Sequence, residues 1–272
     1  MLFPICRIIG APALIIALSL VSLHSEVATF NPVADTTLIQ VEPNANLGGA
    51  NFFNAGTAGN GNRNRALLQF SLSEMIPAGS TINNVSLMLD IVRQPAVDLT
   101  PATFGLRRTL TSWSEGDKVP IEEGSPGLGA PATDGDATWT YRSVGRAAWA
   151  TPGGRVGVDF SSIVSSTAFV YGIGDPVQFE STPELTADVQ FWLDNPNSNF
   201  GWMLVTETEE VRKSARSFAS REDASGGPIL VIDFTPVPEP AAIGLLGLGL
   251  VAFGILRRRQ RLPARLHIGP QF

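Results

Sequence analysis

Hydrophobic and polar residues alternate in short runs over most of this chain. Val85, Leu87, Leu89 and Ile91 interleave with Ser86, Met88, Asp90 and Val92. Phe104 and Leu106 lead into Arg107 and Arg108, and Val156, Val158 and Phe160 interleave with Gly157 and Asp159. Trp202, Leu204 and Thr206 alternate with Met203, Val205 and Glu207, and Ile229–Phe234 is the last such run. A period of two over four to eight residues predicts β-strands. Turn-forming clusters at 44–51, 56–64, 77–80, 124–135 and 153–154 separate the runs. Many short strands with glycine-rich turns predict an all-β fold, a β-sandwich or barrel.

One stretch breaks the pattern. Thr182 can cap a helix, Pro183 suits its first position, and Leu185, Val189, Trp192 and Leu193 recur at helical spacing before Asn195-Pro196. We expect a helix over Pro183–Asp194, packed on one end of the sandwich, with Trp192 in the core.

The two ends of the chain are patterned differently. Arg7, the apolar run Ile8–Val21 and small residues Ser22 and Ser25 have the order of a secretory signal, here assigned to residues 1–25. A retained membrane anchor is the alternative reading. At the other end, Val237-Pro238-Glu239-Pro240 precedes the apolar segment Ala241–Leu256 and the cluster Arg257-Arg258-Arg259-Gln260-Arg261. Sixteen residues at about 1.5 Å each give about 24 Å, a short transmembrane helix whose arginines stay cytoplasmic. This three-part tail, Pro238, Glu239 and Pro240 followed by a span and Arg257, Arg258 and Arg259, resembles the PEP-CTERM sorting signal. The resemblance implies handling by an exosortase-type enzyme in a Gram-negative bacterium. It also implies anchoring in the inner membrane during transit and release to the cell surface or extracellular matrix. Residues 262–272 would form a short cytoplasmic tail. An ordinary single-span anchor is the alternative.

Composition narrows the chemistry of residues 26–235. The only cysteine is Cys6 and the only histidines are His24 and His267. The folded region therefore lacks Ser-His-Asp and Cys-His machinery, the usual zinc ligand sets and any disulfide. It carries 24 Asp/Glu against 13 Lys/Arg, a net charge of −11. Nucleic-acid binding needs a basic footprint and is excluded.

Several stretches of this region carry a second resemblance. They are Ala34-Asp35-Thr36-Thr37, Asn44–Gly49, Arg65–Phe70, Ile76–Ser80, Thr111-Ser112-Trp113-Ser114-Glu115-Gly116, Asp136–Trp139, Trp149–Gly154 and Phe218-Ala219-Ser220-Arg221-Glu222. In this order they resemble the DNRLRE (disaggregatase-related) module over 30–234. That resemblance implies a jelly-roll-like sandwich associated with carbohydrate binding, often beside polysaccharide-degrading enzymes. It assigns no ligand residue individually. Arg221 is read as pairing with a carboxylate, chiefly as a structural feature.

Candidate sites follow from residue chemistry. Trp139 and Tyr141 stand two apart, so in a strand both would face one side. With Trp113 they could form a platform for sugar rings, or both could point into the core. Glu115, Asp117, Asp134 and Asp136 lie in an acidic, glycine-rich loop that could hold Ca²⁺, which takes six to eight oxygen ligands. A solvated loop is the alternative. Glu115 with Asp136 is the nominal pair for carboxylate catalysis, and Tyr141 with Arg142 that for a lyase. The expectation is a non-enzymatic surface protein that associates with extracellular polysaccharide in a biofilm or capsule matrix. The alternatives are a structural or adhesive matrix protein without a glycan ligand, and a polysaccharide hydrolase or lyase.

Overall fold

The computed structural model describes residues 24–121 and 127–237. The expected signal segment through Leu23 lies outside the described residues, as do Cys6, Glu122, Glu123 and the tail from Pro238 onward, including Ala241–Leu256 and Arg257–Arg259. No helix among the described residues is long and apolar enough to cross a membrane.

The strands, in chain order, are β1 (Glu26–Phe30), β2 (Pro32–Ile39), β3 (Ala45–Asn46), β4 (Phe52–Thr57), β5 (Arg63–Phe70), β6 (Thr81–Leu89), β7 (Ile91–Arg93) and β8 (Ala102–Arg108). They continue as β9 (Ala130–Pro131), β10 (Tyr141–Ser143), β11 (Ala147–Ala148), β12 (Ser166–Val170), β13 (Val177–Phe179), β14 (Trp202–Thr206), β15 (Arg216–Ala219) and β16 (Ile229–Thr235). One α-helix, α1 (Pro183–Asp194), and a single 3-10 turn, Pro196–Ser198, stand between β13 and β14. The architecture is an all-β sandwich. A four-stranded sheet of order β1-β16-β6-β13 faces an eight-stranded sheet of order β12-β8-β14-β5-β4-β15-β7, with β2 also paired to β5. Every ladder among these strands is antiparallel.

The main core lies between the sheets. β6 contributes Val85, Leu87 and Leu89, and β16 contributes Leu230, Ile232 and Phe234. They meet Ala66, Leu68 and Phe70 of β5, Phe104 and Leu106 of β8, and Trp202 and Leu204 of β14. Each aliphatic or aromatic side chain buried here contributes about 1.5–3 kcal/mol. The helix forms as its sequence predicts. Thr182 Oγ1 accepts from Leu185 N at 3.0 Å, and Leu185, Val189, Trp192 and Leu193 are buried. Trp192 packs edge-on against Trp202, ring centroids 4.5 Å apart.

Two strands are buried on both faces, which simple alternation does not show. The outward residues Leu67 on β5 and Met203 and Val205 on β14 lie under a second apolar cluster with Leu38, Ala137, Trp139, Trp149 and Phe160. The long connection between β8 and β12 supplies most of that cover. Part of the cover corrects a strand expectation. Val156–Phe160 does not run as a strand: Val156 and Val158 are exposed while Asp159 and Phe160 are buried. Gly157, at φ +76°, turns the chain. The Asp159 carboxylate accepts from Ala150 N at 2.9 Å and from Arg155 N at 2.7 Å, fixing a loop instead.

Candidate functional site

The expected aromatic platform does not form. Trp139 precedes β10 and is only 6% exposed. A Cβ on Gly153 would collide with its ring, and the Arg65 guanidinium sits 5.5 Å from its centroid. Tyr141, 36% exposed, begins β10 and points to solvent. The two rings therefore share no exposed face. Trp113 packs against the second cluster and donates its Nε1–H to Phe200 O at 2.8 Å. Both tryptophans are held as parts of the cover over the large sheet.

The expected Ca²⁺ ligands also part company. Asp117 is exposed and pairs with Lys118. Asp136 is buried, accepts from Thr133 N and Oγ1 at 2.8 and 3.1 Å, and lies 3.6 Å from Lys118 Nζ. Asp134 is exposed beside Gly145. Glu115 turns elsewhere, so Glu115 and Asp136, the nominal catalytic pair, are each engaged by different partners. Arg142 donates to Ser112, through its carbonyl and its hydroxyl, both at 2.9 Å.

Glu115 joins Asp35 and Glu222, whose carboxylate oxygens lie within 4.8 Å of one another. Asp35 comes from β2, Glu115 from the loop after β8, and Glu222 from the loop between β15 and β16. Arg221 ties them together. Its Nε and Nη2 donate to the two oxygens of Glu115 at 2.7 and 2.8 Å, and Nε stands 2.9 Å from Glu222. Its backbone N–H donates to Asp35 Oδ2 at 2.8 Å, while Asp35 N donates to Glu115 Oε1 at 2.7 Å. Buried Asn46 braces the same loop, donating from Nδ2 to Glu115 O and Ala137 O at 2.7 and 2.8 Å. Burial pushes the Asp35 carboxyl up to about 8; the Arg221 N–H pulls it down, and Glu222 and Glu115 push it further up. Burial raises Glu115 as well, against the pull of Arg221. Glu115 and Glu222 on one guanidinium, with the Asp35 carboxyl held by the Arg221 backbone N–H, form a knot in which the arginine is the counter-cation. It joins segments 80 and 186 residues apart.

Exposed aromatic rings stand elsewhere, on the edge strand β12. Phe169 is 67% exposed and Tyr171, just past the strand end, 59%. Ser166, Ala168 and Val170 face the core, so Thr167, Phe169 and Tyr171 line the outer side. The backbone beneath them is fixed. Tyr171 O accepts from Arg216 Nη2 and Nε at 2.5 and 3.1 Å, and Ile173 N donates to Gln94 Oε1 at 2.7 Å. Arg216 is itself buried and surrounded by backbone carbonyls, also donating to Thr100 O at 3.1 Å and to Ser214 O at 2.9 Å. Burial pushes its pKa down to about 10. The sequence signal for this pair was present, two aromatics two apart in Ser166–Tyr171, but the expectation fell on the other tyrosine. A larger cleft of about 410 Å³ lies between the β3–β9 ribbon and Ile121. Its described lining includes Glu42, Ile121 and Leu128 and no aromatic ring.

Residues 236–259 match the PEP-CTERM protein-sorting motif. The chain thus carries the signal of an exported protein, sorted to the surface of a Gram-negative cell by an exosortase-type enzyme. The match begins one residue after β16 ends at Thr235 and does not extend over the sandwich. No curated protein matches the chain.

Proposed function

We propose that this surface protein associates with extracellular polysaccharide through its sandwich, without turning the polymer over. The observation that carries the reading is the exposed pair Phe169 and Tyr171 on a backbone clamped by Arg216 and Gln94. A large exposed aromatic face is favourable only when something covers it, and sugar rings stack on such faces through their C–H groups. Fixing the backbone in advance reduces the ordering cost of binding. Single-site affinity is expected in the micromolar to millimolar range, about 4–8 kcal/mol. Many copies on one surface would strengthen attachment through avidity. The carboxylate–arginine knot joins three of the segments that carry the DNRLRE resemblance, Ala34–Thr37, Thr111–Gly116 and Phe218–Glu222. Its carboxylates are turned onto Arg221, which supports a structural role over catalysis.

The test uses the full chain in mild detergent with the extracellular polysaccharide fraction of its host. Wild type should be retained on immobilised polymer and release neither reducing ends nor unsaturated products. Retention should be lost in the F169A/Y171A double variant. Equal retention of that variant, or release of sugar by the wild type, would sink the reading.

A further inference from the structure

The aromatic pair is not isolated on its face of the sheet. Phe169 on β12 is paired with Thr103 on β8. The carbonyl of Thr103 accepts from Glu207 N at 2.9 Å, which places Glu207, just past β14, in the same row. The next row runs Thr167, Gly105, Val205. Strands lie about 4.8 Å apart, so about 10 Å separates the backbone of Phe169 from that of Glu207. Gly105 is buried and its row is closed: a Cβ there would collide with Glu207 Oε1, whose side chain lies across the glycine to reach Arg107, and would crowd Val164 Cγ1. The way from Phe169 to Glu207 therefore runs over Thr103.

Beyond Glu207 the same face opens into a groove of about 360 Å³, with Phe160 and Val205 among its lining. Its ionisable lining is Arg63, Arg65, Arg107, Glu207, Glu209 and Glu210. Arg65 pairs with Glu209 through two bonds of 2.7 Å and donates to Gly153 O at 2.7 Å. Arg107 bonds Glu207 at 2.9 Å and Ser162 O at 2.8 Å. Arg63 stands 3.8 Å from Glu209, beyond hydrogen-bond reach, with its side chain substantially exposed.

We infer that the outer face from β12 to this groove is a track for a neutral polysaccharide chain, with Phe169 and Tyr171 stacking sugar rings at one end and the arginine–glutamate groove bonding hydroxyls at the other. The inference rests on the polysaccharide reading above and deepens it. Charge decides the class. Three arginines against three glutamates leave the groove formally neutral, inside a domain whose net charge is −11. A uronate chain would gain no net attraction in the groove and would be repelled by the rest of the surface. A polycation would be drawn to the acidic surface as a whole. A hydroxyl-rich neutral chain needs donors and acceptors side by side, and fixed guanidinium and carboxylate groups supply both.

The experiment is native affinity electrophoresis of the full chain in mild detergent. Gels contain neutral probes (β-glucan, galactomannan, xylan) or uronate-bearing probes (alginate, hyaluronan), each run at low and high salt. The variants are F169A/Y171A at one end and R63A at the other, all with melting temperatures checked against wild type. Retardation by at least one neutral probe is expected, insensitive to salt. It should weaken at least tenfold in F169A/Y171A and about threefold in R63A. Retardation only by uronate-bearing probes, reversed by salt, would overturn the neutral track and leave polysaccharide association standing. Neutral retardation lost in F169A/Y171A but untouched in R63A would overturn the groove's part in the track, with association through the aromatic pair intact. No retardation by any probe would overturn both readings.

Discussion

Replacing Asp35 with asparagine should flatten the dependence of stability on pH. Asp35 is 1% exposed and burial is the main force raising its carboxyl to about 8 from 3.8. In the native protein it therefore keeps its proton over a range in which the unfolded chain has released it. An acid shifted upward contributes stability that is whole below about 3.8 and is lost as pH rises through about 8. Within that window one proton corresponds to about 1.4 kcal/mol per pH unit. From pH 5 to 7 the wild type should lose about 3 kcal/mol more than Asp35→Asn, or about 6–12 °C in Tm for a domain of this size. The raised carboxyls of Glu115 and Asp188 act in the same direction in both proteins and cancel in the comparison. The amide oxygen of asparagine can still accept from Arg221 N, where Asp35 Oδ2 accepts at 2.8 Å, so the knot keeps its shape. Melting curves of both full chains in mild detergent, followed by circular dichroism from pH 5 to 8, measure the difference. Parallel Tm–pH curves would refute the reasoning, because Asp35 would then be ionised throughout and the knot held by a charge balance other than the one described.

Three further outcomes are expected. Trp139→Ala should lower stability by about 3–5 kcal/mol, because it opens a cavity under the cover of the large sheet; a Tm shift below about 3 °C would mean the ring is not core. Arg216→Met should destabilise by about 3 kcal/mol or more, since it leaves the carbonyls of Tyr171, Thr100 and Ser214 without their donor, and hydrogen exchange should rise first around residues 100 and 171; unchanged exchange there would refute the clamp. With Arg221 as counter-cation of the knot, EDTA and millimolar Ca²⁺ should leave the Tm unchanged; a Ca²⁺-dependent rise abolished by Glu222→Gln would place an ion there instead.

Local physics made part of this protein legible in its sequence. Thr182, Pro183 and the spacing of Leu185, Val189 and Trp192 define α1 because capping and helical periodicity are properties of neighbouring residues. Val85, Leu87 and Leu89 declare β6 because one face of that strand meets the core and the other meets water. The Pro-Glu-Pro motif and the arginine cluster are legible for a similar reason: a sorting enzyme reads them as a linear signal. What the chain does with its aromatic rings was decided by the tertiary structure. Trp139 is buried because the connection between β8 and β12 folds back over β5 and β14, burying both of their faces. Phe169 and Tyr171 face outward because Ala168, opposite Phe104, takes the inner position, where the larger ring already fills the layer. The same holds for the knot. The sequence marks Glu115 and Arg221 separately but not as partners, and only the pairing of distant strands brings Asp35, Glu115 and Glu222 together around Arg221. Ring exposure and carboxylate protonation depend on what covers a residue, and here the covering segments come from far along the chain.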